Sequence, residues 1–173
     1  MRIFDTPFGR MAVAATSRGL TRVLLPTEAA VLQASAVAVE PDRAAAALAA
    51  RAEKEILQYL AGRRRKFTVP VDLSGAPPFH AKVLRALARI PYGRTVAYGE
   101  LAARVGRPRG ARAVGQAMAG NPVPLVVPCH RVVASGGGLG GFGGGLDLKR
   151  RLLALERACG TVVVALDIPS GGF

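Results

Sequence analysis

Three prolines within seven residues dominate the segment Asn121-Pro122-Val123-Pro124-Leu125-Val126-Val127-Pro128-Cys129-His130-Arg131-Val132. Each lacks an amide hydrogen and fixes its own φ, so no regular helix can run through here. Leu125-Val126-Val127 therefore reads as a short buried segment that delivers Cys129 to a rigid turn. A thiol beside an imidazole is the minimal pairing of a nucleophile with its base. Neighbours in extended chain point to opposite faces, so a turn or a bridging water must connect Cys129 to His130. An arbitrary Cys-His pair is more often a buried thiol beside an unrelated histidine. The surrounding sequence has to decide.

With 173 residues, half of them hydrophobic, the chain can bury a real core as one large or two small domains. No apolar run reaches the ~20 residues of a membrane span. Met1-Arg2-Ile3-Phe4-Asp5 lacks the apolar stretch of a signal peptide, so a cytoplasmic protein is expected. Cys129 and Cys159 are too few for a disulfide scaffold, and a reducing compartment argues against their pairing. The net charge is +13, and only four of the 24 basic residues are lysines. Guanidinium binds phosphate through two parallel hydrogen bonds, which suits a polyanionic partner. A chain rich in Ala, Gly and Arg also arises from genomic bias, so charge alone is weak support for nucleic-acid binding.

In chain order, residues 1–25 read as antiparallel strands, with Thr16-Ser17-Arg18-Gly19 turning a hairpin. Residues 26–41 give no clear pattern. Asp42 is an N-cap for a helix over Arg43–Ala61, with Leu48, Ala52, Ile56, Tyr59 and Leu60 inward and Gly62 as its stop. The basic run Arg63-Arg64-Arg65-Lys66 serves equally as a solvated loop or a phosphate contact. Phe67–Leu73 reads as a closing strand, and Ser74-Gly75-Ala76-Pro77-Pro78 as a linker.

Helices then take over, at Phe79–Ile90, Val96–Val105 and Ala111–Ala119. The last two, joined by Gly106-Arg107-Pro108-Arg109-Gly110, form a helix-turn-helix pattern. The second is small-sided, with Arg112 the one long basic side chain on its first turn. Such a helix either approaches another surface closely or packs into its own core. Ala134–Gly145 holds eight glycines in twelve residues, which excludes helix interior because each costs about 1 kcal/mol against alanine. It lacks the spacing of a phosphate loop and suits close approach of backbone to a flat ligand. A last helix is expected over Leu146–Cys159, with Leu148, Leu152 and Leu155 inward, then a strand over Thr161–Leu166.

Pro128-Cys129-His130-Arg131-Val132 resembles the O6-alkylguanine-DNA alkyltransferases, single-use DNA repair proteins. Further support comes from Ile90-Pro91-Tyr92-Gly93, Tyr98-Gly99-Glu100-Leu101-Ala102, Ala111-Arg112-Ala113-Val114-Gly115, Asn121-Pro122, Gly140-Gly141-Phe142 and Leu152-Leu153-Ala154-Leu155-Glu156. These cover roughly residues 74–157 in the family's order and spacing. Thr6-Pro7-Phe8-Gly9 and Gly19-Leu20-Thr21 extend a looser likeness over residues 1–73. The resemblance implies an α/β N-terminal domain, antiparallel sheet plus helix, over residues 1–73. A mainly α domain with the helix-turn-helix follows over residues 74–173.

It also implies roles. Cys129 is the alkyl acceptor, activated by a relay in which Glu156 orients His130 and His130 reaches the thiol through a water. Asn121 braces the turn, and Tyr98 donates to guanine N3. Arg112, with Ala113 and Gly115 on the same helix, contacts duplex DNA, and Arg112 replaces the flipped base from the minor groove. The carbonyls of Cys129 and Val132 recognise the exocyclic amine, and the Gly143 amide faces O6. Met118, Pro124, Phe142 and Gly144 complete the pocket. No cofactor is implied, because the lesion is itself the alkyl donor. The partner is double-stranded DNA, engaged without sequence preference by a monomer; clustering of copies on DNA and O4-alkylthymine as a second substrate are left open.

The chain departs from the family pattern at Phe142, where many members carry tyrosine. Residues 1–73 contain no Cys or His, so the structural zinc of some relatives has no ligands here. Non-catalytic alkyltransferase-like proteins share the frame but replace the nucleophile, typically with tryptophan; Cys129 and the absence of Trp oppose that reading. A papain-like hydrolase places its histidine far from the cysteine, and the only other histidine is His80.

Overall fold

The computed structural model describes residues 1–26 and 42–158. β1 (Arg2–Thr6), β2 (Gly9–Thr16) and β3 (Gly19–Leu24) form an antiparallel meander in the order β1-β2-β3. Phe4 stands opposite Met11 and Val13 opposite Val23, with one irregularity between Ala14 and Ala15. Alternation sends Phe4, Met11, Val13 and Val23 into the main core, whereas Ala12 and Leu24 form a small second cluster with Ile3.

Helix α1 (Arg43–Leu60) lies against this sheet. The Asp42 carboxylate accepts from the Ala44 amide, 3.4 Å, as an N-cap should. Ala45, Ala49, Ala52, Ile56, Tyr59 and Leu60 are buried at helical spacing. Gly62, at φ 71°, ends the helix in the left-handed conformation.

The run Phe67–Leu73 departs from the closing strand its sequence predicts. It makes one isolated parallel bridge, Leu20 with Val71. Its amides are spoken for elsewhere: Thr68 and Val69 donate to the buried Glu55 carboxylate, 2.7 and 3.1 Å, and Pro70 has no amide to give. Only Pro70 and Asp72 reach Leu20 through backbone hydrogen bonds.

Helix α2 (Pro78–Leu87) starts with proline in its first turn, where the missing amide costs nothing, and a turn follows before Pro91. The helix expected from Val96 begins only at Tyr98. Val96 and Ala97 instead form β4, which pairs in parallel with β5 (Val132–Val133). α3 (Tyr98–Arg104) and α4 (Ala111–Ala119) pack on each other and on α2, giving the helix-turn-helix. α5 (Leu146–Ala158) buries Leu148 and Leu152, with Leu155 half-buried against the core. Cys159, the strand expected at residues 161–166 and the unread stretch at 27–41 lie outside the described residues.

A single core runs from Phe4 through Tyr59 and Leu87 to Leu152, so the sheet and the helical region share their interior. The Val23 amide donates to the Pro122 carbonyl, 2.8 Å, tying β3 to the proline-rich loop before Cys129. Among the described residues, no helix is long and apolar enough to cross a membrane.

Candidate active site

The loop after α4 is closed by one side chain. Asn121 Oδ1 accepts from the Val123 amide, 3.1 Å, and Nδ2 donates to the Val127 carbonyl, 2.9 Å, and to Cys129 Sγ, 3.3 Å. The Val127 amide returns to the Val123 carbonyl, 2.9 Å. Leu125 sits at φ 72°, a conformation that costs a non-glycine residue about 1–3 kcal/mol. Its side chain is buried in the core, which holds it there. Pro128 then leads into a 3-10 turn over Cys129–Arg131, and β5 follows. The β4–β5 pairing brings the start of α3, and so Tyr98, to this turn.

Behind the thiol lies a buried polar cluster centred on Glu156 of α5. Its Oε1 accepts from His130 Nε2, 3.0 Å, from the Tyr59 hydroxyl, 2.7 Å, and from Arg131 Nη2, 2.7 Å. Its Oε2 accepts from Arg131 Nε, 3.0 Å, and the Gly93 amide, 2.9 Å. Arg131 also donates to the Ile90 carbonyl, 2.6 Å. With a carboxylate oxygen facing it, Nε2 must carry the imidazole proton. Nδ1 is then the acceptor nitrogen, and among the described residues it is the one buried side-chain polar atom without a hydrogen-bond partner.

A cavity of about 230 Å³ opens in front of Cys129, lined by Tyr98, Gly115, Met118, Ala119, Cys129, Gly141, Phe142 and Gly143. Backbone forms much of its wall. A Cβ on Gly140 would lie 2.7 Å from the Tyr98 ring, so Tyr98 rests directly on the glycine-rich loop. The loop is held by Lys149, fully buried on α5, whose ammonium donates to the carbonyls of Val132, 2.6 Å, Leu139, 2.5 Å, and Gly141, 3.2 Å.

Burial decides the electrostatics. It pushes the Cys129 thiol above its usual range, against the Asn121 hydrogen bond and the Lys149 charge. It pushes His130 down, against Glu156, so the imidazole is neutral at neutral pH. Burial also lowers Lys149, to about 8. It would raise Glu156, but the hydrogen bonds from His130 and Arg131 outweigh it and hold that carboxyl at about 2. The resting thiol is therefore not ionised on its own; it sits close to a neutral base.

The structure thus gathers Tyr98, Gly115, Met118, Cys129, Phe142 and Gly143 around one cavity, with Asn121, His130 and Glu156 behind the sulfur. Pro124, Val132 and Gly144 are buried without lining it, Ala113 is half-buried, and Arg112 is exposed. A side chain on Gly144 would meet Leu25 and Leu148 at 2.7 and 2.8 Å, so its smallness serves packing. Sequence reasoning missed three groups: Lys149, Arg131 as a partner of Glu156, and the Tyr59 hydroxyl. Lys149 left one trace, being a rare lysine in an arginine-rich chain. Tyr59 appeared only as one more inward helix position.

A helix-turn-helix frame carrying a buried thiol at a small, backbone-walled cavity defines a DNA-binding protein with a nucleophilic acceptor. Residues 1–73 match the ribonuclease-like domain of 6-O-methylguanine DNA methyltransferase, and residues 78–158 match its DNA-binding domain. The methylated-DNA–protein-cysteine methyltransferase of Mycolicibacterium paratuberculosis is 40% identical over 156 residues, 90% of this chain and 91% of the relative. Mycobacterium tuberculosis OGT, solved in complex with DNA, superposes with a TM-score of 0.78 at 37% identity, covering 91% of this chain and 92% of that one. The enzyme from Methanococcus jannaschii superposes at 0.65 with 29% identity, covering 96% and 98%. The chain belongs to the methylated-DNA–protein-cysteine methyltransferase family. Its activity is the direct, single-turnover transfer of an alkyl group from O6-alkylguanine in DNA to a cysteine.

Proposed function

We propose that Cys129 is the alkyl acceptor and that each chain is spent after one transfer. The observation that carries this is the position of Cys129, lining the cavity while Asn121 binds its sulfur and the His130–Glu156 pair stands behind it. Sulfur attacks the alkyl carbon in line, the S–C bond forms, and the C–O6 bond breaks toward the base. The thiol proton passes through a water to His130 Nδ1, the nitrogen left free once Nε2–H is committed to Glu156. Because burial raises the thiol, removal of this proton belongs to the reaction itself. Tyr98, at the cavity rim, donates to guanine N3 and offsets charge on the departing base.

A base buried in a duplex stack cannot present its alkyl carbon to this thiol, so the nucleotide is flipped into the cavity. Arg112, Gly115 and Ala119 follow i, i+3, i+7 spacing on α4, and the latter two line the cavity. Arg112, exposed on that face, fills the gap left by the flipped base from the minor groove. Residues 1–73 form the α/β domain and residues 74–173 the DNA-binding and acceptor domain, acting as a monomer on double-stranded DNA.

Intact mass measurement after incubation with duplex DNA containing O6-methylguanine tests the core of this reading. One methylene, about 14 Da, should appear once per chain and map to the Cys129 peptide, as an irreversible thioether requires. Repeated turnover, or label on Cys159, would overturn it.

A further inference from the structure

Tyr59 belongs to α1, far in sequence from the acceptor turn, yet its hydroxyl enters the polar cluster behind Cys129. The residue is fully buried, its ring packed against Phe67, 5.2 Å between centroids, and edge-on to Tyr92, 5.9 Å. The hydroxyl has one proton, donated to Glu156 Oε1 at 2.7 Å. Its oxygen also lies 3.2 Å from His130 Nε2. Since Nε2 carries the proton, the Tyr59 oxygen is a second acceptor for it beside Glu156. This hydroxyl brings a group from the first 73 residues into contact with both members of the His130–Glu156 pair.

We infer that Tyr59 is a positioning residue for alkyl transfer, setting the basicity and orientation of His130 from the N-terminal part of the chain. The inference rests on His130 acting as the base for Cys129. His130 faces Glu156 and Lys149 from α5, Arg131 and Cys129 from its own turn, and Tyr59 from α1, with Tyr92 beside Tyr59. Glu156 stabilises the imidazolium; Arg131 and Lys149 oppose it. A donor on Oε1 withdraws part of the carboxylate charge that His130 would otherwise feel. Removing the hydroxyl also takes away the 3.2 Å acceptor of Nε2–H, but the 2.7 Å donor to Oε1 is the shorter bond, so the net effect returns charge to His130 and makes the imidazolium easier to form. The base is then lost to protonation at higher pH.

The test is the rate of transfer from free O6-benzylguanine, which needs no DNA, measured across pH 5–9 for the full chain and for Tyr59→Phe. Phenylalanine keeps the ring packing, and Arg131 and Gly93 still satisfy Glu156. The acid limb of the profile should move up by about half a unit to one unit, with a rate loss of roughly three- to tenfold at its foot and near recovery above pH 8. The His130 ring-nitrogen NMR signals, separable from those of the only other histidine, His80, should report the same upward shift in titration. An unmoved acid limb overturns the inference, whether the rate is unchanged or uniformly lowered. A wild-type profile with no acid limb across a pH range in which the NMR signals show His130 becoming protonated, while Cys129 is still the labelled residue, would instead remove His130 as the base and this inference with it.

Discussion

Asn121 and Cys129 are joined directly: the Asn121 side-chain nitrogen lies 3.3 Å from the Cys129 sulfur while donating to the Val127 carbonyl at 2.9 Å. One amide therefore shapes the proline-rich loop and favours negative charge on the thiol. Asn121→Ala should leave the Val127 carbonyl and Val123 amide without these partners, costing on the order of 2–4 kcal/mol in denaturant unfolding. The thiol, already raised by burial, should rise further. The pH dependence of its reaction with an alkylating reagent measures that, and a thiol titrating as in the wild type would deny Asn121 its electrostatic part.

Arg112 and Cys129 should be separable by mutation. Arg112→Ala should slow repair of duplex DNA strongly, because extruding a base costs a few kcal/mol and the arginine offsets part of it. Transfer from free O6-benzylguanine should change little. Cys129→Ser should keep DNA binding and abolish transfer from both substrates, since a serine hydroxyl is a far weaker nucleophile at neutral pH. Equal losses on duplex and free base for Arg112→Ala would give Arg112 a structural role only.

Lys149→Met fills much the same volume but strips three carbonyls of their donor. Stability should fall by about 2–4 kcal/mol, and transfer from free base should slow as the Gly141–Gly143 wall loosens. Urea unfolding and single-turnover rates check the two effects separately. A stability loss with normal transfer would show that the glycine-rich loop holds its shape without the lysine.

Glu156 makes stability acid-sensitive. Its folded value of about 2 lies below the ordinary 4.5, so its contribution is fully present above pH 4.5 and disappears as pH falls toward 2. The shift corresponds to about 3 kcal/mol. Urea midpoints between pH 6 and pH 2 should show this loss, and Glu156→Gln should flatten it while lowering stability at neutral pH.

Affinity for undamaged duplex should fall linearly in log K against log salt, given a net charge of +13. Substituting an exposed arginine that meets phosphate should reduce the slope by about one. A salt-independent affinity would count decisively against electrostatic, sequence-indifferent binding.

Most local elements and the kind of chemistry follow from residues close together in the chain. The hairpin turn at Thr16–Gly19, the Asp42 cap and Gly62 stop of α1, and the prolines around Leu125 all act through covalent neighbours, so they are legible in the chain. So is the adjacency of thiol and imidazole just after a proline-rich run that bars an α-helix. Which groups meet depends on how distant elements pack. Phe67–Leu73 has the composition of a strand, yet Glu55 on α1 takes its amides. Tyr59 and Glu156 are 97 residues apart, and periodicity marks Tyr59 as inward without naming its partner. Lys149 has the residue type of a surface position, but three carbonyls from two different segments converge on it. Hydrogen bonds between buried groups are set by how the elements pack, and a buried polar atom takes whatever partner that packing brings within 3 Å.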